Sequence, residues 1–203
     1  MTAINSPKQQ SGFALLITIL VLSVVVAVTL AIVELSLKQL KLSVDSTDSE
    51  IAFHAANAGL ECARYTRRVE SDNFESGANV QFNCFGSSAT VAKMANPLFP
   101  VIPAGPPAID GQVGRYQLNI DWGTTPNTRC TSVDITSIVA TTTIVIGNNT
   151  TKKLPQYITG YSSSTKTCEA GERCTIMSVI GYSSACSDIA SPGVLKREIL
   201  LEL

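Results

Sequence analysis

Three patterns of apolar and polar residues follow one another along the chain. The first is a block from Phe13 through Val33 without a single charge. As a helix it would be about 31 Å long, close to the roughly 30 Å hydrocarbon core of a bilayer. Thr18, Ser23 and Thr29 can return their hydroxyls to the helix backbone, and neither Gly nor Pro interrupts the run. A buried helix of a soluble core is the competing reading, and the length argues against it. The block predicts a helix that spans a membrane at some stage of the protein's life.

The second pattern is amphipathic. Leu37, Leu40, Val44, Ile51, Ala55, Ala58, Cys62 and Tyr65 recur at three- and four-residue spacings, the signature of one helical face, with Asp48 breaking the stripe. Glu34 and Lys38, Lys41 and Asp45, and Glu50 and His54 stand four apart, so each pair can meet on the outer face. Residues 45–50 are poor helix formers and weaken the helix locally. Unbroken from Phe13 to about Arg68, such a helix would measure on the order of 80 Å. Half of it must then project into lipid or among similar helices. The predicted stalk is residues 13–68, with its transmembrane part at 13–33.

The third pattern begins after Arg68, where Ser, Thr, Gly, Asn and Pro take over. Residues 69–113 read as a loop region. Within it, 96–111 holds Pro97, Pro100, Pro103, Pro106 and Pro107 and reads as an extended polyproline-like connection. From 114 to 203 strands are expected. Tyr116, Leu118, Ile120 and Trp122 alternate with Arg115, Gln117, Asn119 and Asp121 as a half-buried strand. Ile138 to Ile146 is rich in Thr, Ile and Val and ends at a Gly147-Asn148-Asn149 turn. Ile176, Ser178, Ile180 and Tyr182 form another alternating run. In the last strand Leu195, Ile199, Leu201 and Leu203 share a face that Arg197 interrupts. The expected fold class is α+β: a long N-terminal helix, half membrane-spanning and half amphipathic, packed on a C-terminal antiparallel sheet of four or five strands.

Composition narrows the compartment. Charged residues make up 15% of the 203, well below the roughly 25% of an average soluble domain. The net charge of −1 gives no overall attraction to nucleic acid. Six cysteines, Cys62, Cys84, Cys130, Cys168, Cys174 and Cys186, fit an oxidising compartment. Six allow fifteen pairings. Cys168 and Cys174 enclose only Glu-Ala-Gly-Glu-Arg and could close a small loop, and Cys62 with Cys84 would staple the stalk to the loop after it. Zinc is the competing use, but no Cys-x-x-Cys pair is present and His54 lies far off. All six cysteines follow the apolar block, which orients the chain with its short N-terminal tail in the cytoplasm and its bulk outside.

No catalytic set emerges. There is one His, with no Gly-x-Ser-x-Gly, phosphate loop or His-Glu-x-x-His. His54 reads as a surface helix residue beside Glu50, and Asp121, Asp134 and Asp188 as solvated carboxylates. No cofactor or metal is implied, and no basic cluster with aromatics points to nucleic acid. The exposed loops around 75–112 and 160–175 remain open for binding.

Two stretches carry a family resemblance. Ser-Gly-Phe-Ala-Leu-Leu-Ile at 11–17 resembles the leader-peptidase site of type IV pilins and type II secretion pseudopilins. Glu50 to Tyr65, Glu-Ile-Ala-Phe-His-Ala-Ala-Asn-Ala-Gly-Leu-Glu-Cys-Ala-Arg-Tyr, is similar to the alanine-rich helix of minor pilins of the PilX type. The resemblance covers roughly residues 8–66. It implies a leader at 1–12, prepilin-peptidase cleavage between Gly12 and Phe13, and N-methylation of Phe13. It further implies a pilin-like fold, other pilin or pseudopilin subunits as partners through the N-terminal helix, and an inner-membrane assembly platform. The location it implies is the bacterial inner membrane, single-pass, and after assembly the pilus at the cell surface.

One position departs from the family. Major pilins carry Glu at the fifth residue after cleavage, thought to offset the buried terminal amine of a neighbour; here that residue is Ile17. An unpaired charge in an apolar bundle costs several kcal/mol. Glu34, about 26 Å further along the helix, is too far to substitute. Phe13 and Ile17 are therefore the expected filament-packing positions, and a subunit with Ile17 fits the end of a filament. The expectation is a minor pilin-like subunit. The alternative is a single-pass anchored binding domain that does not polymerise.

Overall fold

The structure is a computed structural model that describes residues 11–94, 101–103, 113–124, 128–147, 154–158 and 160–203. It comprises two compact units, residues 1–46 and 47–203.

Within the first unit every described residue is helical, the start of α1 (Ser11–Val69). All side chains from Phe13 to Val44 are exposed. Their polar groups are satisfied within the helix. Thr18 donates to the Leu15 carbonyl (2.8 Å), Ser23 to Leu20 (2.8 Å), Thr29 to Val25 (2.7 Å) and Ser36 to Ile32 (2.9 Å). Glu34 and Lys38 form the expected i,i+4 pair at 3.2 Å. Residues 45–50 stay helical despite their low propensity.

Among the described residues, the second unit contains the rest of α1, the short α2 (Ser71–Ser76) and nine strands. These are β1 (Val80–Cys84), β2 (Ser87–Val91), β3 (Val101–Pro103), β4 (Val113–Trp122), β5 (Arg129–Val139), β6 (Ile144–Ile146), β7 (Lys166–Cys168), β8 (Arg173–Tyr182) and β9 (Lys196–Glu202). They form a β1-β2 hairpin, a three-stranded sheet in the order β3-β6-β7 and a four-stranded sheet in the order β4-β5-β8-β9. Every pairing is antiparallel. The layout is α+β.

Alternation along the central strands divides two cores. Tyr116 and Ile120 of β4, Val133 and Ile135 of β5, and Met177 and Val179 of β8 face α1 and pack with Leu60, Ala63, Phe74, Val80 and Phe82. On the opposite face Val113, Ile138, Cys174 and Ile176 pack with Ile144, Ile146, Leu154, Ile158 and Tyr161. A covering on each side explains why β8, expected as an alternating run through Ile176, Ser178, Ile180 and Tyr182, is buried on both faces.

The buried face of α1 is not the expected stripe. Tyr65 is exposed, Ile51, Ala58 and Cys62 are half-buried, and Ala55 alone of the stripe within this unit is fully buried. The buried positions are Ala52, Ala55, Ala56, Gly59, Leu60, Ala63 and Thr66. Small residues let the helix backbone approach the sheet. A Cβ on Gly181 would collide with the Ala52 carbonyl oxygen and the Ala56 nitrogen, and one on Gly59 with Thr131. The Thr131 hydroxyl crosses this seam to donate to the Ala55 carbonyl at 3.0 Å.

Three further expectations are corrected. The presumed loop region 69–113 contains α2, the β1-β2 hairpin and β3. Val80, Phe82 and Cys84 alternate inward, and Phe85 and Gly86, with φ of 53° and 79°, form the two-residue turn. Of the Pro-rich segment 96–111, residues 101–103 form strand β3, and the rest lies outside the described residues. Ile138 to Ile146 is not one strand: β5 ends at Val139, and β6 belongs to the other sheet.

Candidate functional site

The residues singled out from the sequence fall into three groups: the apolar helix, the cysteines, and the carboxylates with His54. In the apolar helix, Phe13 and Ile17 are both exposed, and Gly12 lies within the helical backbone. Residues 1–10, most of the expected leader, lie outside the described residues. Among the described residues α1 is the one helix long and apolar enough to cross a membrane. Apolar side chains face outward all round, and the side-chain hydroxyls of Thr18, Ser23 and Thr29 bond back to the helix. Chemically, this segment offers a surface for lipid or other apolar helices and no reactive group.

The cysteines form the second group. The structure pairs Cys62 with Cys84, Cys130 with Cys186 and Cys168 with Cys174. The first joins α1 to the end of β1, the second ties β5 to the segment after β8, and the third closes the β7–β8 turn. Asp121 lies near Cys130 and Cys186, and Glu172 near Cys168 and Cys174. With each of these sulfurs in a disulfide, neither set offers the thiolates a zinc site needs.

Carboxylates expected at the surface take up structural work. Arg115, expected on the solvent side of β4, is 3% exposed because the segment around Leu154–Ile158 covers that face. Its guanidinium donates through Nε to Asp134 (3.0 Å) and through Nη2 to the Tyr157 carbonyl (3.0 Å). Gln117 donates to the same Asp134 carboxylate at 2.7 Å. Asp121 accepts from the Cys186 backbone N–H at 2.7 Å. Asp188 is exposed. His54 is exposed, 3.6 Å from Glu50.

Burial shifts several titrating groups. It raises the phenols of Tyr116, Tyr161 and Tyr182, with Glu202 adding to the effect at Tyr161 and Glu198 at Tyr182. The Lys166 ammonium, donating to Glu202 at 2.7 Å, holds that carboxyl below its usual range.

Among the described residues of the head are clefts that sequence reasoning missed. One, of about 260 Å³, lies between the hairpin and β4 and is lined by Phe82, Cys84, Ser87, Ala89 and residues 118–121. Beside it the rings of Phe85 and Trp122 stack at 5.2 Å. Another, of about 360 Å³, gathers Arg64, Arg67 and Arg68 of α1 with Glu75 and Arg173. Only the i, i+3, i+4 spacing of the first three arginines was a local signal. Arg173 joins them through the docking of α1 on the sheet. No family model, curated protein or solved structure matches the chain.

Proposed function

We propose that this chain is a minor pilin-like structural subunit of a type IV pilus or a related pseudopilus. The observation that carries the reading is α1 itself. From Phe13 to Val33 it presents only apolar or self-satisfied side chains to its surroundings, and its last part packs within the antiparallel head. Such a helix is stable in lipid before assembly and among apolar helices after it. In this reading prepilin peptidase cuts between Gly12 and Phe13, and the new Phe13 amine is methylated. Assembly proceeds from the inner membrane, with the tail cytoplasmic and the disulfide-bearing head outside. Ile17 supplies no carboxylate to a neighbour's amine, which favours the filament end.

The mechanism is association, not turnover. Moving apolar side chains from a lipid phase into a helix bundle is driven by close packing, because lipid and helix are comparably apolar. The test is intact-mass and peptide mass spectrometry of the mature N-terminus. A methylated Phe13 supports the proposal. An intact Met1 favours the anchored, non-polymerising domain, and a start at Ile32, after the small-residue-ended Thr29-Leu30-Ala31, means cleavage as a secretory signal. Ile17→Glu should alter where or how efficiently the subunit is incorporated. An unchanged distribution of the labelled variant would remove the tip assignment.

A further inference from the structure

We propose that the arginine-lined cleft of the head binds a multiply charged phosphate-type anion. Its walls come from α1 (Arg64, Arg67, Arg68), α2 (Ser71, Glu75) and β8 (Arg173, Thr175), closed by Leu203. Arg67 and Arg173 converge on one oxygen of Glu75, at 3.7 and 3.1 Å. One carboxylate oxygen thus serves two guanidiniums. Arg64 is held by Glu61 at 3.0 Å at the rim. Arg68 makes no ion pair among the described residues. Even with Glu61, Glu75 and a carboxylate at Leu203 all counted, the four guanidiniums leave the group net positive.

The last turn of α1 accounts for part of this, since cations there meet the negative end of the helix dipole. That explains Arg67 and Arg68 but not Arg173, which arrives from the sheet. Arg67 is further fixed over the Phe74 ring, 5.4 Å from its centroid, and through Nε to the Thr175 hydroxyl at 3.2 Å. That hydroxyl keeps its own proton to donate. Burial lowers the Arg67 guanidinium from its ordinary range; Glu75 opposes that shift and the neighbouring Arg173 charge adds to it. A lone carboxylate is satisfied by one planar fork. Several forks and two hydroxyls on different walls suit a tetrahedral oxyanion that accepts from several directions.

The inference does not depend on filament assembly. It is tested on the full chain in detergent by calorimetric titration with inorganic pyrophosphate, soluble dihexanoylphosphatidic acid and malonate. The double variant Arg68→Gln/Arg173→Gln changes two cleft residues and leaves the Arg67–Glu75 contact, and Arg129→Gln is the remote control. Expected are saturable binding of a phosphate ligand, at least a tenfold loss in the double variant, weakening with added salt, and no change in Arg129→Gln. Preference for pyrophosphate assigns a free anion, and preference for the phosphatidic acid assigns a lipid headgroup. No binding of either at millimolar concentration, equal binding by the double variant, an equal loss in Arg129→Gln, or malonate binding as tightly as the phosphates would each overturn it.

Discussion

One helix obeys two different rules along its length. Before Ser46, large apolar side chains such as Leu40 are 65% exposed, while further along the same helix Ala55 is 0% exposed. Along this helix hydrophobicity alone therefore does not locate burial; the fit of small residues against the sheet does. The second unit buries alanines and glycines because a backbone-to-backbone approach needs the absence of side chains. Among the described residues, the first unit keeps its leucines and valines exposed. Stability should reside in one region and association in the other.

The contrast can be broken by attacking the buried region. Trp122, the only tryptophan, is half-buried and donates to Thr131, so its fluorescence reports the head during urea unfolding in detergent. Asp134→Ala should cost the most, about 3–5 kcal/mol, because it removes the carboxylate that neutralises the buried Arg115 guanidinium. Gly181→Val should follow at about 3 kcal/mol, since its side chain meets helix backbone that cannot rotate away. A midpoint shift below one third of either value would mean the seam is looser than described.

Titration sharpens the same region more gently. Glu202 has a depressed carboxyl, so its pairing stabilises the head above the ordinary carboxylate range and is lost as pH falls through its folded value. Tyr161 has a raised phenol, so its contribution holds below about pH 10 and disappears on further alkalinisation. Lys166→Gln should flatten the acid limb of a stability-against-pH curve. An unchanged acid limb would remove the Lys166–Glu202 pair from the account. The smallest effect belongs to Leu40→Ala, which should leave head stability within about 0.5 kcal/mol. A larger loss would mean that Leu40 contributes to the stability of the head.

Patterning was legible where it was local. The uncharged run from Phe13, the long helix and the alternation of β4 follow from periodicity. Two cysteine pairs were anticipated as sensible closures, while Cys130–Cys186 was not, because only the docking of the segment after β8 brings the two together. Arg115 misled because a residue at a polar position of an alternating strand is exposed only if nothing covers that face. The stripe of α1 was misplaced because Ala and Gly carry little hydropathy signal, and their fit depends on Thr131 and Val179 far away in sequence. The arginine cleft was hidden for the same reason, Arg173 being remote in sequence from the α1 arginines.

The assembly reading rests on where the apolar helix ends up in the cell. The direct measurement is to shear surface filaments from cells expressing the chain and to identify the form recovered there by mass spectrometry. The account expects the chain in the sheared fraction, beginning at Phe13. Recovery solely as the uncut chain in the membrane, while filaments are being made, would contradict it.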